Sequence, residues 1–250
     1  MTLLNPLKTV LLLTIILYTA PFLLESIKKQ YSSLLEPQAQ IGIISITQPL
    51  YSSYDLNEHL HSFFKDPNIQ GIIIKINCAD IAAGTSQTIF HDIRQLKKEY
   101  PKPIIALIEN LCLTGAYLIA SSCDYIIAPE SAIIGNIGPS FCNWSIKNVC
   151  PETSLSHETI EHESYQQLTK QIALSRKLSL TTIHNWADGK IFTGTQAVTL
   201  GLINEIGSLC TVIKTIKEKA LIEGEIEWIE PKQKNHHLFN MFFGNERTIS

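Results

Sequence analysis

The amino-acid sequence predicts an α/β protein built on a mostly parallel sheet and preceded by a membrane helix. Three observations predict it. Short β-branched runs recur, IGIISIT at 41–47, GIIIKIN at 71–77, PIIALIE at 103–109 and DYIIAPE at 124–130, and each reads as a buried strand. Helical patterns alternate with them at short intervals, as in stacked β-α units whose strands are apolar throughout because both faces are covered. Residues 9–24 carry no charge.

That first segment, TVLLLTIILYTAPFLL, has Lys8 before it and Glu25, Lys28 and Lys29 after it. As a helix it spans about 24 Å against a hydrocarbon core of about 30 Å, so Lys8 must snorkel or the bilayer must thin. Cleavage as a signal peptide is disfavoured, because Tyr18 stands where a small residue should be and Pro21 follows Ala20 directly. Residues 1–30 therefore read as an uncleaved anchor, 31–40 as a polar linker, 41–230 as one folded domain and 231–250 as a polar tail. Lysines at both ends leave the orientation open.

Within the domain, DLNEHLHSFFKD follows the first strand. SQTIFHDIRQLKKEY follows the second, with Ile89, Ile93 and Leu96 at helical spacing, and GAYLIASS follows the third. The second half reads as helical over 165–177, over 179–187 with Ser179 as N-cap and Gly189 as stop, and over 195–200.

A net charge of −3 over 250 residues provides no broad basic surface for nucleic acid. The six cysteines show neither metal-ligand spacing nor a C-x-x-C pair. Cys78, Cys112 and Cys123 lie in or beside apolar runs as small hydrophobes, while Cys142 and Cys150 are free to pair in an oxidising compartment. HETIEH (157–162) spaces its histidines five apart, not the four that place H-E-x-x-H ligands on one helix face. His59, His61 and His91 read as surface residues. Gly84, Thr85 and Ser86 lack the lysine frame of a phosphate loop, and Asn143-Trp144-Ser145 is a formal glycosylation acceptor. No metal or organic cofactor is expected.

One turn carries chemistry. In NLCLTGAYLIASS (110–122) a strand hands over to a helix and presents the Thr114 hydroxyl, with Ser121 and Ser122 further along as packing residues. Four patterns in order, GIIIKIN, KPIIALIENLCLTGAYLIASSCDYIIA, SAIIGNIG and ADGKIFTGTQAVTLGLINEIGSL, resemble the signal peptide peptidase A or protease IV family over residues 41–215. The resemblance implies the β-β-α spiral of the Clp protease and crotonase folds. It also implies a serine nucleophile, a lysine base and backbone amides as oxyanion hole, and each position can be checked.

Thr114 falls on the serine. Its β-branched methyl restricts χ1, but its hydroxyl can still act as nucleophile. The glycine-rich oxyanion loop falls on Cys78, Ala79, Asp80 and Ile81, which places an acid and a branched side chain where backbone must approach substrate. Counting back from ADGK puts the lysine on Leu174, with Lys170 and Lys177 one turn either side of it. All three chemical positions depart while Gly135, Gly138, Gly189 and Gly201 match. The family pattern thus implies a membrane-anchored protein with lost or very weak peptidase activity, serving as scaffold or non-catalytic subunit. The alternative is an active peptidase with Thr114 as nucleophile, a lysine as base and the Gly115 amide as oxyanion donor, cutting signal peptides or membrane-proximal peptides. The expected partners are the membrane, further copies or an active paralogue, and peptide segments. By the same analogy the domain is extracytoplasmic.

Overall fold

The computed structural model describes residues 6–35, 38–138 and 154–231, with side chains described over 13–27 in the first helix and from 159 onward in the helix that begins at 154. The chain divides into two compact units, Met1–Gln38 and Ala39–Ser250. Cys142, Cys150, Asn143 and the predicted polar tail beyond 231 lie outside the described residues.

The first unit is a helix, α1 (Pro6–Leu35), which takes in the first half of the segment read as linker. Leu17, Tyr18 and Phe22 on it are exposed. Among the described residues no helix is long and apolar enough to cross a membrane, so the predicted spanning helix is not carried by them. The helix itself is 30 residues long, but its uncharged run, 9–24, covers only about 24 Å of the roughly 30 Å a crossing needs.

In the second unit the four predicted strands form as β1 (Ala39–Ile46), β2 (Ile69–Cys78), β3 (Ile104–Leu113) and β4 (Tyr125–Ala128). Four short strands join them: β5 (Ile133–Gly135), β6 (Ile191–Thr193), β7 (Glu205–Ile206) and β8 (Ile226–Ile229). The helices are α2 (Tyr54–Lys65), α3 (Ala83–Glu99), α4 (Gly115–Ser121), α5 (Ser154–Arg176), α6 (Gly194–Thr199) and α7 (Leu209–Ala220). α5 starts well before the predicted residue 165. The segment predicted as a helix over 179–187 is a 3-10 turn, Leu180–Asn185, capped by the Ser179 hydroxyl.

The sheet runs β6-β5-β3-β2-β1-β8, with β4 off that path between β3 and β7. Among the described residues only the β5–β6 pair is antiparallel. Both faces are buried, which is why the strands are apolar without alternation. Ile72, Ile74, Ile76, Ile104, Ala106 and Ile108 share one core with Phe64, Phe90, Leu118 and Leu168 of the helices. Ile41, Ile73, Ile105 and Ile127 face the other way, onto Val212 and Ile216 of α7. At roughly 1.5–3 kcal/mol per buried aliphatic side chain, neither face can be left uncovered.

β3 positions the site because its outer edge forks. Residues 105–107 pair with β4, whereas 111–113 pair with β5. Thr114 follows the second branch directly, at the mouth of the fork.

Candidate functional site

Thr114 holds φ +48 and ψ −116, a conformation that suits glycine and strains a β-branched residue. Its N–H donates to the Gly135 carbonyl at 2.9 Å, and its carbonyl accepts from the Leu118 N–H at 3.1 Å, which opens α4. The residue is 8% exposed. Its hydroxyl donates to the Ala79 carbonyl at 3.5 Å, the outer limit of a hydrogen bond. Gly115 is enforced by its surroundings, since a Cβ there would lie 2.6 Å from the Ile81 carbonyl oxygen and 2.9 Å from the Ser86 hydroxyl.

The loop after β2 is sewn to the segment before α2. The Cys78 thiol donates to the Asp80 carbonyl at 3.1 Å and lies 3.4 Å from the Gln48 carbonyl. The Ala82 N–H donates to the Leu50 carbonyl at 3.1 Å, beside a parallel bridge between Leu50 and Ile81. Three successive carbonyls are thereby committed: Ala79 toward the Thr114 hydroxyl, Asp80 toward the Cys78 thiol, Ile81 against Gly115. An oxyanion needs N–H groups aimed at it, and carbonyl oxygens repel it. The Ile81 side chain, expected to crowd the approach to substrate, is instead buried in the core. Burial pushes the Cys78 thiol above its ordinary range, and Cys112 well above it, so both stay protonated and neither replaces the hydroxyl as a nucleophile.

The lysine position counted back from ADGK does not lie beside Thr114. Gln87 donates to Gln167 at 3.2 Å, and Gln171 meets His91 at 3.2 Å. Helices α3 and α5 therefore run side by side in the same direction. Leu174 is level with the C-terminal end of α3, where it is exposed and shares a surface depression with Ser122, Asp124 and Arg94. Thr114 is at the opposite end of α4, about 10 Å away along the helix. The helix periodicity of α5 was readable, but its register against α3 was not, because a helix face does not state which turn meets which neighbour. Lys170 and Lys177 are exposed. Level with the start of α3 are His162, which contacts Gln166 at 2.8 Å, and Glu163. Sequence reasoning weighed His162 only as a metal ligand. Among the described residues no group of three or more His, Cys, Asp or Glu could hold a metal ion. Ser121 and Ser122 are buried and donate to the Leu118 and Ile119 carbonyls at 2.7 and 2.6 Å.

The matching motifs build the frame around this turn. A Cβ on Gly138 would meet the Gly189 backbone at 2.8 Å, so SAIIGNIG and ADGK touch through paired glycines, tied by the Gly189 N–H to the Ile137 carbonyl at 2.9 Å. Thr193 and Gln196 form a capping box at the start of α6. The Asn204 side chain accepts from the Ile126 N–H at 2.9 Å and from Arg176 at 2.8 Å, while the Gly207 N–H donates to the Ala128 carbonyl at 2.9 Å. The Tyr117 hydroxyl donates to the Leu202 carbonyl at 2.7 Å. Each interaction is structural, and none of them involves the Thr114 hydroxyl.

Comparison with known proteins agrees with this frame. Protease 4 of Haemophilus influenzae is 26% identical over 65% of this chain and 32% of its own length. The chloroplastic serine protease SPPA of Arabidopsis thaliana is 24% identical over 67% of this chain and 28% of its own. The chain thus spans about a third of these two relatives. Among solved structures, the catalytic domain of the ClpP protease from Plasmodium falciparum superposes with a TM-score of 0.50 at 14% identity, over 66% of this chain and 84% of that one, so the fold is of the Clp protease type. The family model of Peptidase family S49 matches residues 96–162 and 147–223, a span from the end of α3 to the end of α7 that takes in the Thr114 turn, and the chain belongs to that family.

Proposed function

We propose that this chain is an S49-family protein whose peptidase activity is lost or very weak, and that it serves as a scaffold or non-catalytic subunit. One observation carries the reading: the Thr114 hydroxyl donates to a carbonyl of the loop that should supply oxyanion donors. The Ile81 carbonyl against Gly115 supports it further. Removing a single oxyanion donor costs about 2.7–4 kcal/mol in known peptidases, a hundredfold to thousandfold in rate. A loop that offers acceptors instead is at least as costly. Attachment to a membrane through the α1 region, supported by its exposed apolar side chains, an extracytoplasmic domain, and assembly with further copies or an active paralogue belong to the same reading.

A second reading has its own support. A β-branched residue at φ +48 is strained, and such strain concentrates at functional sites. On this reading Thr114 is the nucleophile, the Gly115 amide is an oxyanion donor, and a lysine of this chain or of a partner is the base, with signal peptides or membrane-proximal peptides as substrates. Turnover of a fluorogenic peptide library by the purified protein separates the two. The scaffold reading expects equal, background rates from the native chain and from Thr114→Ala, whereas activity abolished by that substitution establishes the peptidase.

A further inference from the structure

We infer that the outer edge of β1 over residues 43–46 is a docking groove for an extended peptide carrying basic side chains, supplied by another protein. Strand β8 pairs with β1 only over residues 39–42, whereas β2 pairs on the other side up to Ile46. Among the described residues, 43–46 therefore have no strand partner on their outer side. The cause lies in the sequence: Pro231, two residues past the end of β8, lacks an N–H and cannot continue the ladder. An exposed edge of this kind is a template for strand addition.

The edge borders a cavity of about 440 Å³ whose floor is residues 43–46 and whose far wall is α2. Four residues of β1 offer about 13 Å of backbone, enough for a peptide of four or five residues in extended form. Specificity comes from the walls. Asp55 on α2 and Glu230 at the end of β8 both line the cavity, with His59 as the other ionisable group. Both carboxylates are exposed, so a partner strand with alternating basic side chains meets complementary charge without burying either acid unpaired.

The groove also touches the loop of the candidate site. Leu50 lines it, and Leu50 is the residue whose carbonyl holds the Ala82 N–H and whose bridge holds Ile81. A docked strand would therefore brace the loop that carries the Ala79 and Ile81 carbonyls. The proposal does not depend on whether Thr114 performs chemistry.

The test is fluorescence anisotropy of a labelled hexapeptide of alternating valine and lysine, titrated with the full chain in detergent. Saturable binding is expected, weakened about tenfold or more by Asp55→Asn with Glu230→Gln, unchanged by Thr114→Ala, and lost when alternate peptide amides are N-methylated. Absence of binding overturns the proposal. So does equal binding of the N-methylated peptide, which would mean attraction by charge alone. If a chain ending at Pro231 binds and the full chain does not, the groove is filled from within and a partner peptide is excluded. A dimer that the peptide cannot displace overturns it equally.

Discussion

Thr114 and Gly115 sit next to one another, and the backbone reverses the usual preferences at the first. Glycine normally costs a protein about 0.5–1 kcal/mol relative to alanine. At Thr114, where φ is +48, alanine inherits the strain and glycine does not, so Thr114→Gly is expected to exceed Thr114→Ala in stability by about 1 kcal/mol in urea unfolding. A more stable alanine variant would mean that the turn carries no strain. Gly115→Ala is expected to cost about 1–3 kcal/mol, since its Cβ would stand 2.6 Å from a backbone carbonyl that cannot swing away. The nucleophile position was legible because LTGAY is a contiguous pattern. The direction of the Ala79 and Ile81 carbonyls was not, because it depends on contacts with residues 48–50, some thirty positions earlier, and no local letter encodes them.

The long elements were readable and the short ones were not. β1 to β4 announce themselves as β-branched runs, while β5, β6 and β7 have three, three and two residues, too few for any period to show. Helix α7 escaped too, although the all-apolar strands already required a second cover, which its Val212 and Ile216 provide. The GLINEIG letters that carried the resemblance are explained by their bonds to β4 and α4. This yields a check on how the elements are tied. Tyr117→Phe deletes only the hydroxyl that reaches the Leu202 carbonyl, leaves that acceptor buried and unpaired, and is expected to cost about 1–3 kcal/mol in thermal or chemical unfolding. A neutral result would mean that α4 is held by packing alone.

Taken whole, the second unit hides protonated groups that prefer to stay so. Burial pushes Cys123 up to about 12 from an ordinary 9.0, and carries Cys112 and the Tyr117 phenol upward as well. For a group whose pKa is raised by folding, the stabilising contribution is complete below the unfolded value and disappears as pH climbs toward the folded one. Stability should therefore hold up to pH 9 and decline between 9 and about 12, by about 1.4 kcal/mol per pH unit for each thiol involved. Cys123→Ala should flatten that decline in denaturant titrations at successive pH values, and an unchanged slope would mean that the thiol titrates normally.

The fork in β3 has a further consequence, for the order of events during synthesis. β4 emerges from the ribosome by residue 128, yet its second neighbour, β7, is not made until residue 206. A nascent chain therefore carries an open, isoleucine-rich ribbon through the translation of nearly eighty residues. Long-range closure of this kind is slow and invites mispairing, so this protein's yield in a cell should depend on chaperone capacity more than that of a helical protein of equal size.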